Sequence, residues 1–121
     1  MKRDKYDAVV SDLVRAKNGW RCEYCNKFYA EGMRQGLHCS HFYGRSRQRL
    51  RYDMDNVDSL CFWCHKKMET DPPGYTKWKK KKLGTKRFNA LVRRESIPKK
   101  WELGEKEKMY KKLKKQLESY V

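Results

Sequence analysis

The chain has no apolar run approaching the roughly 18 residues that a membrane-crossing helix needs, and no N-terminal stretch of the signal-peptide kind. Both absences argue against a membrane-embedded or exported protein and predict a cytoplasmic location, the host's if the chain is phage-encoded. Proline is scarce, at 3 residues, so strong chain breaks are confined to Pro72-Pro73 and Pro98. Acidic residues are few beside basic ones: 15 Asp/Glu face 31 Lys/Arg, a formal net charge of +16 over 121 residues. With 38% of residues charged, little apolar material is left for a large core. One small domain with an added cross-link is therefore expected. There is no internal repeat and no low-complexity linker.

The positive charge exceeds what solubility requires and points to a polyanionic partner, of which nucleic acid is the commonest. It is also unevenly spread. Residues 76–121 hold 17 Lys/Arg against 5 Asp/Glu, and residues 1–75 hold 14 against 10. The richest run, Lys79-Lys80-Lys81-Lys82, lacks the broad apolar face of an interfacial helix, so no membrane partner is expected.

Five cysteines in a reducing compartment do not read as a disulfide framework. Four of them form two Cys-x-x-Cys pairs, Cys22/Cys25 and Cys61/Cys64, the spacing of a closed tetrahedral zinc site in which each pair supplies two thiolates from one tight turn. The 35 residues between the pairs exceed a usual zinc-ribbon loop and must carry structure of their own. Cys39 is left over.

Apolar residues at helical spacing (Tyr6, Val9, Val10, Leu13, Val14) predict a helix over 5–18 that stops at Asn18-Gly19. Trp20 to Cys25 is the first knuckle, and 26–36 an irregular loop or hairpin. Leu37–Phe42 is expected as a strand, Tyr43–Met54 as a basic loop, and Asn56–Leu60 as a second extended segment. A helix should run from about Cys61 to Glu69 and end at Pro72-Pro73-Gly74. Short helices over 75–83 and 86–95 flank Gly84, with Tyr75, Trp78, Phe88, Leu91 and Val92 available to pack back on the zinc unit. A final helix over 105–120 carries a narrow stripe of Met109, Leu113 and Leu117, which offers a seam for a homodimer.

Strand with histidine, loop with asparagine, then helix with histidine is the order His41, Asn56, His65. Through Cys22-Glu23-Tyr24-Cys25, Cys39-Ser40-His41-Phe42 and Asp55-Asn56-Val57-Asp58-Ser59-Leu60-Cys61-Phe62-Trp63-Cys64-His65, the chain resembles the HNH (ββα-metal) endonuclease superfamily. The nine-residue step from Asn56 to His65 matches the superfamily's spacing. The stretch from Gly74-Tyr75-Thr76-Lys77-Trp78 to Phe88-Asn89-Ala90-Leu91 is similar to phage recombination nucleases of the NinG/Rap type, which act on branched DNA. The resemblance implies a small α+β zinc-bound domain with a treble-clef-like ββα-metal core over 20–72. A helix over 1–19 would pack on that core, and 73–121 would form a basic helical extension.

By position, the resemblance makes His41 the general base, Asn56 the residue that ties the hairpin so the base is aimed, and His65 a ligand of a catalytic divalent ion, Mg²⁺ or Mn²⁺, beside the structural zinc. One departure stands out. The residue before the base is usually Asp or His and ligates the ion; here it is Ser40. His38, Cys39 and Ser40 are the candidates for a second ligand. Strand alternation puts Cys39 on the face of His41 and His38 on the face of Ser40, which does not choose among them. A hydrogen-bonded histidine, a turn asparagine and a buried apolar cysteine are the plain alternatives for His41, Asn56 and Cys39.

Arg45, Arg47, Arg49 and Arg51 in the basic loop, with Lys77, Lys79 and Lys80, are expected to hold DNA by its phosphates, with no base code. The expected function is a metal-dependent DNA endonuclease acting on branched recombination intermediates. Its rivals are a non-catalytic zinc module that binds nucleic acid and a sequence-specific homing or restriction-type HNH nuclease.

Overall fold

The first helix, α1 (Lys5–Lys17), is set by its caps: Asp4 accepts from the Asp7 amide and Asp7 reaches back to the Asp4 amide. This capping box satisfies two amides that a helix start leaves unpaired. The computed structural model describes residues 2–120. In these, five α-helices surround one two-stranded antiparallel hairpin, a small α+β domain. Strands β1 (Leu37–His41) and β2 (Val57–Cys61) pair with Leu37 opposite Cys61 and His41 opposite Val57. The connecting loop makes two short 3₁₀ turns, Gln48–Leu50 and Met54–Asn56.

Helix α2 (Phe62–Thr70) follows β2 directly, and α3 (Pro72–Leu83), α4 (Thr85–Glu95) and α5 (Leu103–Glu118) complete the order. Pro72-Pro73 ends α2, as expected, yet it also begins α3 three residues before Tyr75. A proline in the first helical turn loses nothing, because its missing N–H would have had no partner there. The Asp71 side chain accepts from the Gly74 amide and so caps the new helix. Between α3 and α4, Gly84 holds φ +81°, a left-handed conformation that glycine adopts without strain. Helix α5 starts at Leu103, two residues earlier than its periodicity predicts, because Glu102 and Glu105 form a capping box.

The hairpin is covered on both faces. On one side α1 packs against β1 and β2, and α5 packs on α1, burying Val10, Leu13, Val57, Tyr52 and Leu113. A second cluster, reached by Leu60 on the opposite face, joins Leu37, Leu60, Met68 and Tyr75 with Cys22, Cys61 and Cys64. A third cluster joins Leu50 of the loop to Leu83, Phe88 and Leu91. Val92, expected to pack inward, is 41% exposed instead, since it follows Leu91 and points off the buried stripe of α4.

Candidate metal centre and active site

Cys22 and Cys25 lie in a tight turn in which the Asn26 amide donates to the Cys22 carbonyl and Asn26 takes φ +67°. Asparagine tolerates this left-handed conformation better than most residues. Cys61 ends β2, and Cys64 sits in the first turn of α2, its amide 3.5 Å from Cys61 Sγ. The ligand atoms of all four cysteines lie within 4.8 Å of one another. Cys25 Sγ and Cys61 Sγ are 3.8 Å apart. That matches the ~3.8 Å edge of a tetrahedron of sulfurs ~2.3 Å from a zinc ion. Four thiols and no open position fit a structural Zn²⁺ that ties the 20–28 turn to the end of β2. Burial works to raise the Cys61 thiol, but the Cys64 amide and neighbouring thiols outweigh it and bring it down to about 7.

The hairpin sorts its side chains as pleating requires. Ser40 is buried, with Oγ 2.9 Å from the Tyr75 hydroxyl. Tyr75 in turn donates to Asp58 Oδ2 at 2.6 Å. Asp58, fully buried, also accepts from Lys79 Nζ at 2.8 Å and Lys82 Nζ at 2.5 Å. Ser40 therefore belongs to a network that pins α3 to the hairpin, and it is not free to hold an ion. Cys39 faces α1, where burial pushes its thiol up to about 11. Of the three candidates for a second ligand, His38 alone is aimed at His65: the two Nδ1 atoms are 3.0 Å apart.

Asn56 is buried and fully engaged. Its Nδ2 donates to the carbonyls of Tyr43 (2.8 Å) and Leu50 (3.1 Å), and its Oδ1 accepts from the Tyr43 amide at 2.9 Å. These bonds fix the loop directly after His41. The His41 ring places Nε2 3.3 Å from the Arg51 carbonyl. A carbonyl only accepts, so Nε2 carries the hydrogen and Nδ1 keeps the lone pair. Burial, above all, lowers the pKa of His41 against opposing pulls from the Arg51 carbonyl and Asp7. The imidazole is thus held neutral, the form a base requires.

His41 and His65 have different ring partners, yet both border one cleft of about 360 Å³ together with Phe42, Tyr43 and Glu69. His41 also borders a smaller cavity of about 180 Å³ on the α1 side, beside Arg3, Asp7 and Arg45. Sequence reasoning missed Arg3 and Glu69. Glu69 was findable, because it lies one helical turn beyond His65, and its carboxylate is 3.2 Å from His65 Nε2. No local pattern marks Arg3.

The expected phosphate contacts need correction. Lys79 is fully buried on Asp58, and Arg51 is buried in a bidentate pair with Asp7, Nε–Oδ1 3.0 Å and Nη2–Oδ2 2.7 Å. Neither reaches solvent. Each carries a charge whose partner lies inside the fold, and the sequence shows only the charge. Arg47 pairs with Glu95, Arg49 donates to the carbonyls of Ile97 and Pro98, and Arg45 lies 3.4 Å from Asp7. These three remain at least partly exposed, and Lys77 and Lys80 are exposed on α3. The Met109, Leu113 and Leu117 stripe packs toward α1, so it is not a free homodimer seam.

No family model, curated protein or solved structure matches the chain. Among the described residues, no helix is long and apolar enough to cross a membrane.

Proposed function

We propose that the chain is a metal-dependent DNA endonuclease with the ββα-metal architecture that its motifs resemble. The observation that carries this reading is His41: Nε2 is anchored on the Arg51 carbonyl, Nδ1 is left basic, and the residue borders a cleft shared with His65. Hydrolysis of a phosphodiester needs a water deprotonated in line with the departing oxygen, and a neutral imidazole suits that task. Asn56 keeps His41 aimed by holding Tyr43. His65 would bind a divalent ion, Mg²⁺ or Mn²⁺, which when bound stabilises negative charge on the phosphate and the leaving oxygen. Arg3, Lys77 and Lys80 offer exposed charge for the backbone, a sequence-independent mode that suits branched recombination intermediates.

The test is His41→Ala assayed on linear and branched DNA with and without divalent ions. Loss of a general base costs about 10²–10⁴-fold in rate while DNA binding persists. Undiminished cleavage by a nuclease-free preparation would refute the proposal. The acid limb of the wild-type pH–rate profile should lie below the ordinary imidazole range. The basic form is the neutral one, and burial shifts its protonation to lower pH.

One observation favours a second reading, a zinc module that binds nucleic acid without cutting it. The position where the superfamily places an ion ligand is Ser40, which is closed off against Tyr75. DNA retarded but intact at every ion condition would support that reading.

A further inference from the structure

His38 and His65 face each other through like nitrogens beside the cleft that His65 borders. His38 Nε2 lies 2.8 Å from the Gln35 carbonyl, which can only accept, so Nε2 carries the hydrogen and Nδ1 a bare lone pair. His65 Nε2 lies 3.2 Å from a carboxylate oxygen of Glu69, a largely exposed acceptor that can draw the hydrogen of the ring to that side. The two Nδ1 atoms are 3.0 Å apart, a distance at which His65 Nδ1–H donates to His38. In the other His65 tautomer two lone pairs meet at that distance, and a cation between them replaces the hydrogen. Two nitrogens ~2.1 Å from one ion at a right angle are separated by ~3.0 Å, the bite found here.

We infer that His38 and His65 form a second metal site, binding one borderline transition-metal ion through both Nδ1 atoms, with the Gln35 carbonyl and Glu69 as outer partners of the far nitrogens. Outer acceptors on the far nitrogens of both rings are the arrangement that orients imidazole ligands and raises their basicity. Phe62 packs edge-on to His38 with ring centroids 5.9 Å apart, which limits rotation of that ring. His65 borders the cleft of His41, so the remaining coordination positions open toward water and any phosphate bound there. Two neutral nitrogens select for ions such as Ni²⁺, Co²⁺ and Mn²⁺ over Mg²⁺, which is hard and prefers oxygen. The site also accounts for the serine before His41: an imidazole two residues earlier on the same strand face takes over the ligand role. The inference rests on the nuclease reading for its place in catalysis, but not for the ion itself.

The test is calorimetric titration of the tag-free full chain, holding zinc in its four cysteines, with Ni²⁺. One further ion per chain should bind, excess Mg²⁺ should not displace it, and His38→Gln should abolish the event with zinc content unchanged. Glu69→Gln should weaken it about 10–100-fold. Absence of a second ion in the wild type, or binding unaffected by His38→Gln, overturns the inference. His38 lies on the strand, away from the zinc ligands in sequence, so this variant keeps the test clear of misfolding that His65→Gln, next to Cys64, could cause. Cleavage assayed on the same samples separates the two proposals. A bound ion with intact DNA refutes the nuclease and leaves the site standing; cut DNA without an ion on His38 does the reverse.

Discussion

At the scale of single residues, Asn56 is tightly constrained: its amide uses both hydrogens and its oxygen on the backbone of Tyr43 and Leu50. Asn56→Ala would leave buried backbone groups unpaired, at about 1–3 kcal/mol for such a group, measurable by urea unfolding. Cleavage should fall further than stability accounts for, because Tyr43 follows His41 by two residues. Asn56 was legible in the sequence through its spacing from His65 and its place in the loop. The fate of Ser40 was not. Its partner Tyr75 lies 35 residues away, and no local pattern announces a hydroxyl pair across that separation. His38 and Cys39 were equally open until the pleat was set against particular helices, because alternation says which residues share a face and not what covers it.

At the scale of elements, the hairpin is joined to α3 by Asp58, Lys79, Lys82 and Tyr75, with Asp58 and Lys79 fully buried. Removing one member of a buried ion pair strands the other. Asp58→Ala should therefore cost about 3–5 kcal/mol in thermal or urea unfolding. Adding Lys79→Met should recover much of that loss, since an apolar side chain of similar length needs no counter-charge. If the double variant is no more stable than the single one, the ion pair is not what holds α3 in place. Burial depresses the pKa of Lys79, a further sign that its charge depends on Asp58. The elements themselves were largely legible: strands, helices and their order follow from periodicity, glycine and proline. Helix starts at Pro72 and Leu103 escaped periodicity because caps and prolines, not apolar spacing, decide them. Lys79 was misjudged because it sits in a run of lysines, and composition cannot show which of four neighbours turns inward.

At the scale of the whole molecule, the four cysteines connect parts of the chain that apolar contacts alone hold weakly. The 20–28 turn is joined to β2 by the Ser59 contacts of Glu23 and Arg21 and by the thiol cluster. Withdrawing zinc with a strong chelator should abolish cooperative unfolding and much of the helical circular dichroism, because ion binding and folding are coupled in such sites. Retention of a sharp thermal transition after zinc is removed would show that packing suffices. Cysteine spacing made the four-thiol cluster legible, whereas the route by which α5 closes over α1 was not, since a narrow stripe fits a partner chain as well as a neighbouring helix.

That closure bears on how the protein is made. The apolar face of α1 emerges from the ribosome first, yet Tyr52 and Val57 follow about forty residues later and Leu113 some sixty after those. Throughout that interval the nascent chain carries an uncovered greasy helix. Its synthesis is therefore the stage most exposed to aggregation and to capture by chaperones.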